Sequence, residues 1–348
     1  MSTRSEASAR QEALRALRSA GRAVEPRLRS SLRRLHPTLH TAAGYHLSWC
    51  DTTGRPVSSG GGKAVRPALV LLIAQACDGV SDDDAVMAAA AAVELVHNFS
   101  QLHDDVMDGD DRRRHRRAVW SAFDVSTAIL LGDAMLMAAQ QLLLDTAHPT
   151  TVEALTVLTS SVQRMVTGQA MDIAFESRHD VGLEEHAIMT AGKSAALMEC
   201  SCTLGALYGG AAPSSVPGWR AFGHDLGMAF QYVDDLLGIW GDPDRTGKPV
   251  GSDLRRRKKS LPVVAALTSG TAAGRDLARM YRSPEPLSDH QVAAAAGLVT
   301  ESGGKAWVQD RAEQHLHKAL SQLAAMDVDP GVQATLGAIA CLIADRDE

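Results

Sequence analysis

Apolar residues recur along this chain at the spacing of an amphipathic α-helix, and runs with the alternation of a strand are scarce. Alanine, leucine and methionine dominate these runs, and only 4% of the residues are aromatic, which also favours helices. In the first part of the chain the pattern predicts helices over Gln11 to Leu35, Pro67 to about Cys77, and from an N-cap at Ser81 to about Asp108. Further helices are predicted over 125–146, 150–177, 183–210 and 218–240. Helices resume at about Leu261 and continue onwards, with breaks near 283–286 and 329–330.

The segments outside these helices are polar. Residues 1–10 are predicted to form a disordered tail, 51–67 a loop rich in glycine and serine, and 241–259 a basic loop. No internal repeat or interdomain linker stands out. The sequence therefore predicts an all-α fold with a single helical domain over residues 11–348.

Composition narrows the class of protein. The chain has 348 residues, of which 45% are hydrophobic, and this is enough for a large buried core. A formal net charge of −6 gives no basic field for nucleic acid, so none is expected as a partner. Five dispersed cysteines indicate reduced thiols and a cytoplasmic location. No stretch resembles a secretory signal or reaches the roughly 18 consecutive apolar residues of a membrane span, so no integral membrane segment is expected.

The first candidate site is the acidic run from Asp104 to Asp108, at the end of an apolar helix. At about 100° per residue, Asp104 and Asp108 lie on one stripe of the helix and Asp105 lies about 80° to one side. Carboxylates packed this densely repel one another, a cost that a divalent cation and a phosphorylated ligand would offset. Mg²⁺ prefers one or two carboxylates together with phosphate oxygens and water. The alternative is a solvated acidic helix end.

A second acidic pair, Asp234 and Asp235, lies within another apolar helix, where Gln231 shares its face. Lys248 and Lys258 follow in a loop containing glycine and proline, which is suited to closing over a ligand. An ordinary charged surface loop is the alternative for the two lysines. The apolar residues on both sides of the aspartate pair favour a functional site there.

Basic residues follow the first acidic run directly, in the segment Arg112 to Arg117. The segment is short and has no interleaved aromatic residues, which argues against nucleic-acid binding. Arginine beside a bound magnesium ion is better interpreted as a bidentate clamp for phosphate.

A glycine-rich loop, Gly60 to Pro67, precedes the second predicted helix and carries Lys63 and Arg66. Glycines let the backbone approach an anion, and the two basic residues supply charge. The segment is not a P-loop, because the GxxxxGK[ST] pattern is absent. A flexible linker is the alternative interpretation.

Together these motifs resemble the trans-isoprenyl diphosphate synthases of the polyprenyl synthetase family. The resemblance covers roughly residues 55–270 in motifs, and seven segments occur in the family's order. They are GGKxxRP at 61–67; His97 with Ser100 and His103; DDVMD at 104–108 with Arg113-Arg114; Gly132-Asp133; Gly168-Gln169 with Asp172; Lys193-Ser194; and Phe230-Gln231 with Asp234-Asp235, followed by Lys248, Gly251 to Leu254, and Lys258.

The resemblance implies a bundle of long helices around a central cavity, a homodimer, and a Mg²⁺-dependent condensation of isopentenyl diphosphate with an allylic diphosphate. Three Mg²⁺ ions are implied once substrate is bound. The implied catalytic residues are Asp104, Asp108, Asp234, Lys193 and Gln231, with Asp105 and Asp235 supporting the metal. The allylic diphosphate would contact Arg113, Lys193, Ser194, Gln231, Lys248 and Lys258. Isopentenyl diphosphate would contact Lys63, Arg66, His97 and Arg114.

The chain departs from the family pattern at Gly238, where many members have a third aspartate. Resemblance also makes Phe99, five residues before Asp104, part of the cavity floor. With small Ser100 beside Phe99 and Val96 one turn deeper, we expect a product near C20, geranylgeranyl diphosphate. If Phe99 merely packs in the core, this expectation fails.

Two other functions stay open. A class I terpene cyclase on the same fold would use the same metals, but it needs no second diphosphate pocket of the kind that Lys63, Arg66, His97 and Arg114 imply. A non-catalytic subunit of a synthase would not need the intact acidic run. The arginine-rich N-terminal region keeps open a role in docking a partner.

Overall fold

A computed structural model describes residues 3–57, 62–78, 84–114, 116–242, 250–282 and 287–344. The predicted all-α class is confirmed: within these ranges the named strands are two residues long, β1 Arg112–Arg113 and β2 Arg116–Arg117, and they pair antiparallel. The helices are α1 Thr3–Leu32, α2 Pro37–His46, α3 Val65–Asp78, α4 Asp84–Met107, α5 Val119–Ala122, α6 Val125–Asp145, α7 Thr151–Ser177, α8 Leu183–Thr190, α9 Ala196–Tyr208, α10 Val216–Trp240, α11 Ser252–Arg255, α12 Leu261–Thr268, α13 Ala272–Arg282, α14 Asp289–Glu301, α15 Gly304–Ala324 and α16 Pro330–Ala344.

The chain groups into two compact units. Unit 1 comprises Met1–Ser160, Glu199–Arg220 and Leu323–Ile339, and unit 2 comprises Ser161–Met198, Ala221–Gln322 and Ala340–Glu348. The first acidic run belongs to unit 1 and the second acidic pair to unit 2. The single domain predicted over 11–348, and a central cavity within it, stay predictions.

Helix α1 begins at Thr3, eight residues before the predicted start at Gln11, so residues 3–10 are helical where a disordered tail was expected. Arginine, glutamate and alanine are good helix formers, and this composition continues upstream of Gln11. The buried positions Ala13, Leu17, Ala20, Val24, Leu28 and Leu32 recur every three or four residues and pack α1 on α3 and α4.

Helix α4 positions the first acidic run. Its residues from Ala88 to Val93 are all buried, and alanine lets neighbouring helices approach closely on several sides. The helix ends at Met107, and Gly109 takes the left-handed conformation with φ of 65°, which favours glycine. The predicted stop at Gly109 therefore agrees with the structure. The predicted N-cap at Ser81 lies outside the described residues.

Helix α6 packs against α4 and is the one described helix long and apolar enough to cross a membrane by length and composition. Of its most apolar window, 44% is buried inside the protein. A helix that packs in a core gives the same signal. Asp124 caps its start, accepting a hydrogen bond from the backbone N–H of Thr127 at 2.7 Å.

Unit 2 departs from the predicted pattern in two places. The helix predicted over 183–210 contains a π-helical turn, Ala191–Ala195, between α8 and α9. At this turn the backbone lies against α7, because a Cβ at Gly168 would overlap the backbone of Lys193. The loop predicted over 241–259 contains the short helix α11, and residues 243–249 lie outside the described ranges.

Candidate active site

The first acidic run presents two half-buried carboxylates one turn apart. The backbone N–H of Asp108 donates to the carbonyl of Asp104 at 2.8 Å, so the helical geometry continues through both residues. Asp105 lies elsewhere on the helix and is buried, with 2% of its surface exposed. This agrees with the angular separation that the sequence predicts.

Asp105 is held by Arg113. The guanidinium donates from Nε to both carboxylate oxygens at 2.9 Å and from a terminal nitrogen to Oδ1 at 2.6 Å. Burial alone would lower the pKa of Arg113, but the hydrogen bonds and charge of Asp105 outweigh it and raise that pKa. The contact ties the hairpin β1–β2 to the acidic run. Any contact of Arg113 with the allylic diphosphate would have to share this guanidinium with Asp105.

The hairpin is also fixed to helix α2. Arg116 donates to the carbonyl of Tyr45 at 3.2 Å and to that of Cys50 at 3.1 Å, and its guanidinium lies 4.1 Å from the centre of the Tyr45 ring. On the other side, the indole N–H of Trp120 donates to the carbonyl of Asp110 at 2.8 Å. The loop after the acidic run is therefore held from both ends.

The residues predicted to bind isopentenyl diphosphate lie together in unit 1. Gln101 links two of them: its Nε2 lies 3.0 Å from Nε2 of His97, and its Oε1 accepts from Arg114 at 3.4 Å. Burial, and then the charges of Arg66 and Arg114, hold the pKa of His97 well below its usual range. A neutral ring nitrogen can accept from the amide of Gln101. Lys63 and Arg114 line one cavity.

A buried carboxylate that the sequence interpretation missed stands beside these cations. Glu94 is buried on α4, and the side-chain amide of Asn98 donates to its carbonyl oxygen at 2.7 Å and to Oε1 at 3.2 Å. Burial raises the pKa of Glu94, whereas the charge of Arg66 opposes this. Its position three residues before His97, on the buried face of an apolar helix, was the available signal.

The residues predicted to set product length lie on α4 below the acidic run. Val96 is fully buried, and Phe99 is 8% exposed with its ring edge-to-face with His103 at 4.9 Å. The hydroxyl of Ser100 donates to the carbonyl of His97 at 2.9 Å. Gly132 makes room for His103, because a Cβ there would overlap the imidazole.

In unit 2 the two aspartates of the second motif differ sharply. Asp235 is buried; its Oδ2 accepts from the backbone N–H of Leu261 at 2.9 Å and its Oδ1 from Gln231 at 2.8 Å. Burial raises its pKa to about 6 despite these hydrogen bonds. Asp234 is exposed. Because both carboxylate oxygens of Asp235 already accept hydrogen bonds, this residue suits a role in supporting the metal site better than direct metal binding. Its bond to Leu261 also holds the first residue of α12 in place.

Gln231 is oriented at both ends of its amide. Its Oε1 accepts from the Ser194 hydroxyl at 2.5 Å, and its Nε2 donates to Asp235. Ser194 lies in the π-helical turn and Gln231 on α10, so the structure brings together two residues that are distant in sequence.

Two predicted phosphate-binding lysines share one carboxylate. Nζ of Lys193 lies 2.5 Å, and Nζ of Lys258 3.4 Å, from Oδ2 of Asp172 on α7. Burial disfavours ionisation of Asp172, but the charges of Lys258 and Lys193 prevail and lower its pKa. Asp172 stands among the family motifs, although no role for it follows from the sequence. Lys248 lies outside the described residues.

The carboxylates of each unit, taken separately, fit Mg²⁺ that arrives with a diphosphate. Asp104, Asp108 and Asp234 offer the hard oxygen ligands that Mg²⁺ prefers, and this ion commonly takes its remaining ligands from phosphate and water. In the described part of the chain, no group of three or more His, Cys, Asp or Glu side chains is arranged to hold a metal ion.

Residues 47–299 match the polyprenyl synthetase family. The chain belongs to this family of trans-prenyltransferases, as its fold and the motifs above indicate. It is 44% identical over 326 residues to a (2E,6E)-farnesyl diphosphate synthase of Mycobacterium tuberculosis, an alignment covering 93% of this chain and 90% of that one. A geranylgeranyl diphosphate synthase of the same species is also 44% identical, over 299 residues, with coverage of 86% and 85%.

Solved structures agree with this assignment. A polyprenyl synthetase from Streptomyces coelicolor A3(2) superimposes with a TM-score of 0.89 and 42% sequence identity, covering 95% of this chain and 99% of that one. The relatives thus include proteins named for different product lengths, and similarity alone does not select one of them.

Proposed function

We propose that this protein condenses isopentenyl diphosphate with an allylic diphosphate to give a trans-polyprenyl diphosphate near C20, in a reaction that requires Mg²⁺. The observation that carries the proposal is a pair of separate cation groups. In unit 1, Lys63 and Arg114 line a cavity. In unit 2, the ammonium groups of Lys193 and Lys258 both contact the carboxylate of Asp172. Two diphosphates need two such groups, whereas a terpene cyclase needs one.

The first step is loss of diphosphate from the allylic substrate, which leaves an allylic cation. Asp104 and Asp108 of unit 1, and Asp234 of unit 2, are the residues that would hold Mg²⁺; the ions, three in the loaded enzyme, would supply positive charge to offset the negative charge of the leaving diphosphate. Lys193 and Lys258 would contact the same diphosphate, and Asp172 would keep both ammonium groups in place before it arrives. The Ser194 hydroxyl and the oriented amide of Gln231 would border the cation.

The second step joins the two substrates. The double bond of isopentenyl diphosphate attacks the allylic cation, which forms the new C–C bond and a second cation. Loss of a proton to the departed diphosphate then restores a double bond. Lys63, Arg66, His97 and Arg114 would hold the isopentenyl diphosphate during attack, and no protein nucleophile is required.

We place the floor of the product pocket at Phe99. Its ring is large, nearly buried and braced by His103, so chain growth would stop when the product reaches it. Relatives named for farnesyl and for geranylgeranyl products share the same identity with this chain, which makes product length an experimental question.

We also propose a homodimer formed through α6. Its solvent face carries Ile129, Leu130, Met137 and Leu144, which are between 41% and 55% exposed. An apolar stripe of this kind is typical of an interface. Glutamate at Leu130 and Met137 should convert the dimer to a monomer in light scattering, whereas glutamate at Ile188, an exposed apolar residue of unit 2, should leave it dimeric.

A cytoplasmic location is supported by the five cysteines, none of which forms a disulfide. Growth of an epitope-tagged strain followed by fractionation would test it. Recovery in the membrane pellet after a salt wash would contradict the proposal.

One assay tests the activity. The protein is incubated with Mg²⁺, labelled isopentenyl diphosphate and dimethylallyl, geranyl or farnesyl diphosphate, and products are separated by chain length. Labelled diphosphates lengthened by five carbons are expected, ending near C20. Hydrocarbons without incorporated label would instead identify a cyclase. Turnover that appears only after a second subunit is added would identify a non-catalytic partner.

A further inference from the structure

Unit 1 contains a cavity of about 360 Å³ between helix α1 and residues 62–64 of the loop that precedes α3. Lys63 and Arg114 line it, and these residues belong to the proposed isopentenyl diphosphate site. Arg18 and Arg22 of α1 line the same cavity, although no family motif includes them. We call this space the α1 cavity.

The sequence explains how α1 reaches this loop. Gly21 faces Ala64, the residue after Lys63, and a Cβ at Gly21 would lie 3.3 Å from that of Ala64. A larger side chain at position 21 would hold the helix away. Arg18 and Arg22 are one helical turn apart and flank this close approach, so both reach the cavity from the same side.

Charge in the α1 cavity favours an anion. Four basic side chains line it, against the carboxylates of Glu25 and Glu94. Glu94 is buried, and its Oε1 accepts a hydrogen bond from the side-chain amide of Asn98 at 3.2 Å. Glu25 is engaged by Arg29 at 2.7 Å. A diphosphate ester, with several negative charges, complements this excess of cations.

Apart from Asn98 and the backbone at Gly62, the remaining wall is mostly apolar. Leu17, Val24, Leu28 and Leu47 contribute aliphatic surface, and Trp49 contributes a ring whose face is covered by Arg29 at 4.1 Å. Cationic and apolar surface in one cavity matches a ligand with a diphosphate head and a short hydrocarbon tail. Inorganic phosphate or a nucleotide would use the cations and leave this wall in contact with water.

From these observations we propose that Arg18 and Arg22 bind the diphosphate of isopentenyl diphosphate, so that helix α1 completes this substrate pocket. The inference rests on the proposed function, because the ligand is identified through Lys63 and Arg114. It gives the N-terminal arginines a role in substrate binding in place of partner docking.

Binding of isopentenyl diphosphate is measured by calorimetry in EDTA, where no condensation can occur and the metal-dependent diphosphate site is disabled. The double variant Arg18→Ala/Arg22→Ala should bind at least tenfold more weakly than wild type. The control Arg15→Ala/Arg33→Ala removes two exposed arginines of the same region that do not line the cavity, and it should bind like wild type.

In steady-state assays the KM for isopentenyl diphosphate should rise at least tenfold while the KM for the allylic substrate stays within twofold. A charge-retaining variant, Arg18→Lys/Arg22→Lys, should recover part of the binding, which separates lost charge from a disturbed fold. Wild-type binding by the alanine variant, or equal weakening by the control variant, would overturn the inference.

Failure of the two proposals can be told apart. A wild-type protein that binds isopentenyl diphosphate through Arg18 and Arg22 but forms no product would leave the α1 cavity assigned and refute the proposed reaction. A wild-type protein that forms product while the alanine variant binds normally would refute only the role of α1. Absence of isopentenyl diphosphate binding to the wild type would refute the role of α1 outright.

Discussion

The carboxylate of Asp253 occupies the space that a side chain at Gly238 would fill, since a Cβ at Gly238 would overlap Oδ2. Gly238 lies on α10 at the place where many family members have an aspartate, and Asp253 lies on α11. The two positions therefore cannot both carry a carboxylate without a shift of Asp253. The glycine at position 238, where many family members have an aspartate, and the position of the Asp253 carboxylate therefore depend on each other.

Gly238→Asp should lower the free energy of unfolding by about 1–3 kcal/mol, because overpacking and like-charge repulsion outweigh the gain of about 0.5 kcal/mol in helix propensity. In a protein that already carries Asp253→Gly, the change Gly238→Asp should cost much less free energy of unfolding, because the carboxylate that it would meet is gone. Urea unfolding of the four proteins forms a double-mutant cycle. Gly297→Asp is the matched control, since a Cβ at Gly297 meets nothing within 4 Å and should show no coupling to position 253.

Asp104 and Asp105 are adjacent, yet substitution should affect them differently. Asp104→Ala should abolish turnover and leave the thermal midpoint nearly unchanged, because Asp104 is half-buried and assigned to the metal. Asp105→Asn should destabilise the protein by about 3 kcal/mol, because it leaves the partly buried Arg113 without its carboxylate. Calorimetry and product assays distinguish the two effects.

Asp111→Asn, at an exposed acid near the same run, controls for general loss of negative charge. Near-normal turnover of Asp104→Ala would contradict its assignment to the metal. Unchanged stability of Asp105→Asn would show that the contact with Arg113 does not hold the hairpin.

Phe99→Ala should lengthen the product by one or more five-carbon units, because it opens space below the acidic run. Product chromatography with farnesyl diphosphate as primer measures the change. Phe222→Ala removes another buried phenylalanine, on α10, and controls for weakened packing without a change in length. If Phe99→Ala gives the wild-type product, the floor of the pocket lies elsewhere.

His46 should make stability depend on pH. Burial, and then the charges of Arg114 and Arg113, lower the pKa of His46 to about 3, and its Nε2 is buried with no hydrogen-bond partner among the described residues. The unfolded chain protonates near its usual value of about 6.5, whereas the folded chain does not. The free energy of unfolding should therefore fall as pH drops from about 6.5 towards 3.

Each proton bound only by the unfolded chain contributes about 1.4 kcal/mol per pH unit. His46→Gln should reduce the slope by up to that amount in urea titrations between pH 6.5 and 4. Equal slopes for wild type and His46→Gln would refute this origin of acid sensitivity.

The sequence predicted most helices because their apolar stripes are long and regular. The bounds of α7 and α10 lie within two residues of those predicted. Helix α1 starts earlier than predicted, because residues 3–10 have the same helix-favouring composition as the residues that follow them. The π-helical turn at Ala191–Ala195 was not predicted; it lies where the backbone packs closely on Gly168, a tertiary contact that local propensity does not encode.

The residues of the candidate site were chosen one by one from the sequence, but their contacts with one another were not predicted. Angular spacing separated Asp105 from Asp104 and Asp108, as observed. It could not show that Asp105 faces Arg113, or that Asp172 lies between two lysines, because these partners come from distant parts of the chain. Such pairings depend on tertiary packing, and a single sequence holds no record of them.

The π-helical turn of unit 2 directs two consecutive residues into separate tasks, with Lys193 reaching α7 and Ser194 reaching α10. Such a turn accommodates one residue more than an α-helix over the same rise. Deleting a residue there would restore ordinary winding and rotate one of the two side chains away from its partner. This stretch should reject any change in the number of residues. At Gly192 it should also reject an added methyl group, because a Cβ there would lie 2.7 Å from the carbonyl oxygen of Arg164. Evolution is therefore limited here by chain length as well as by composition.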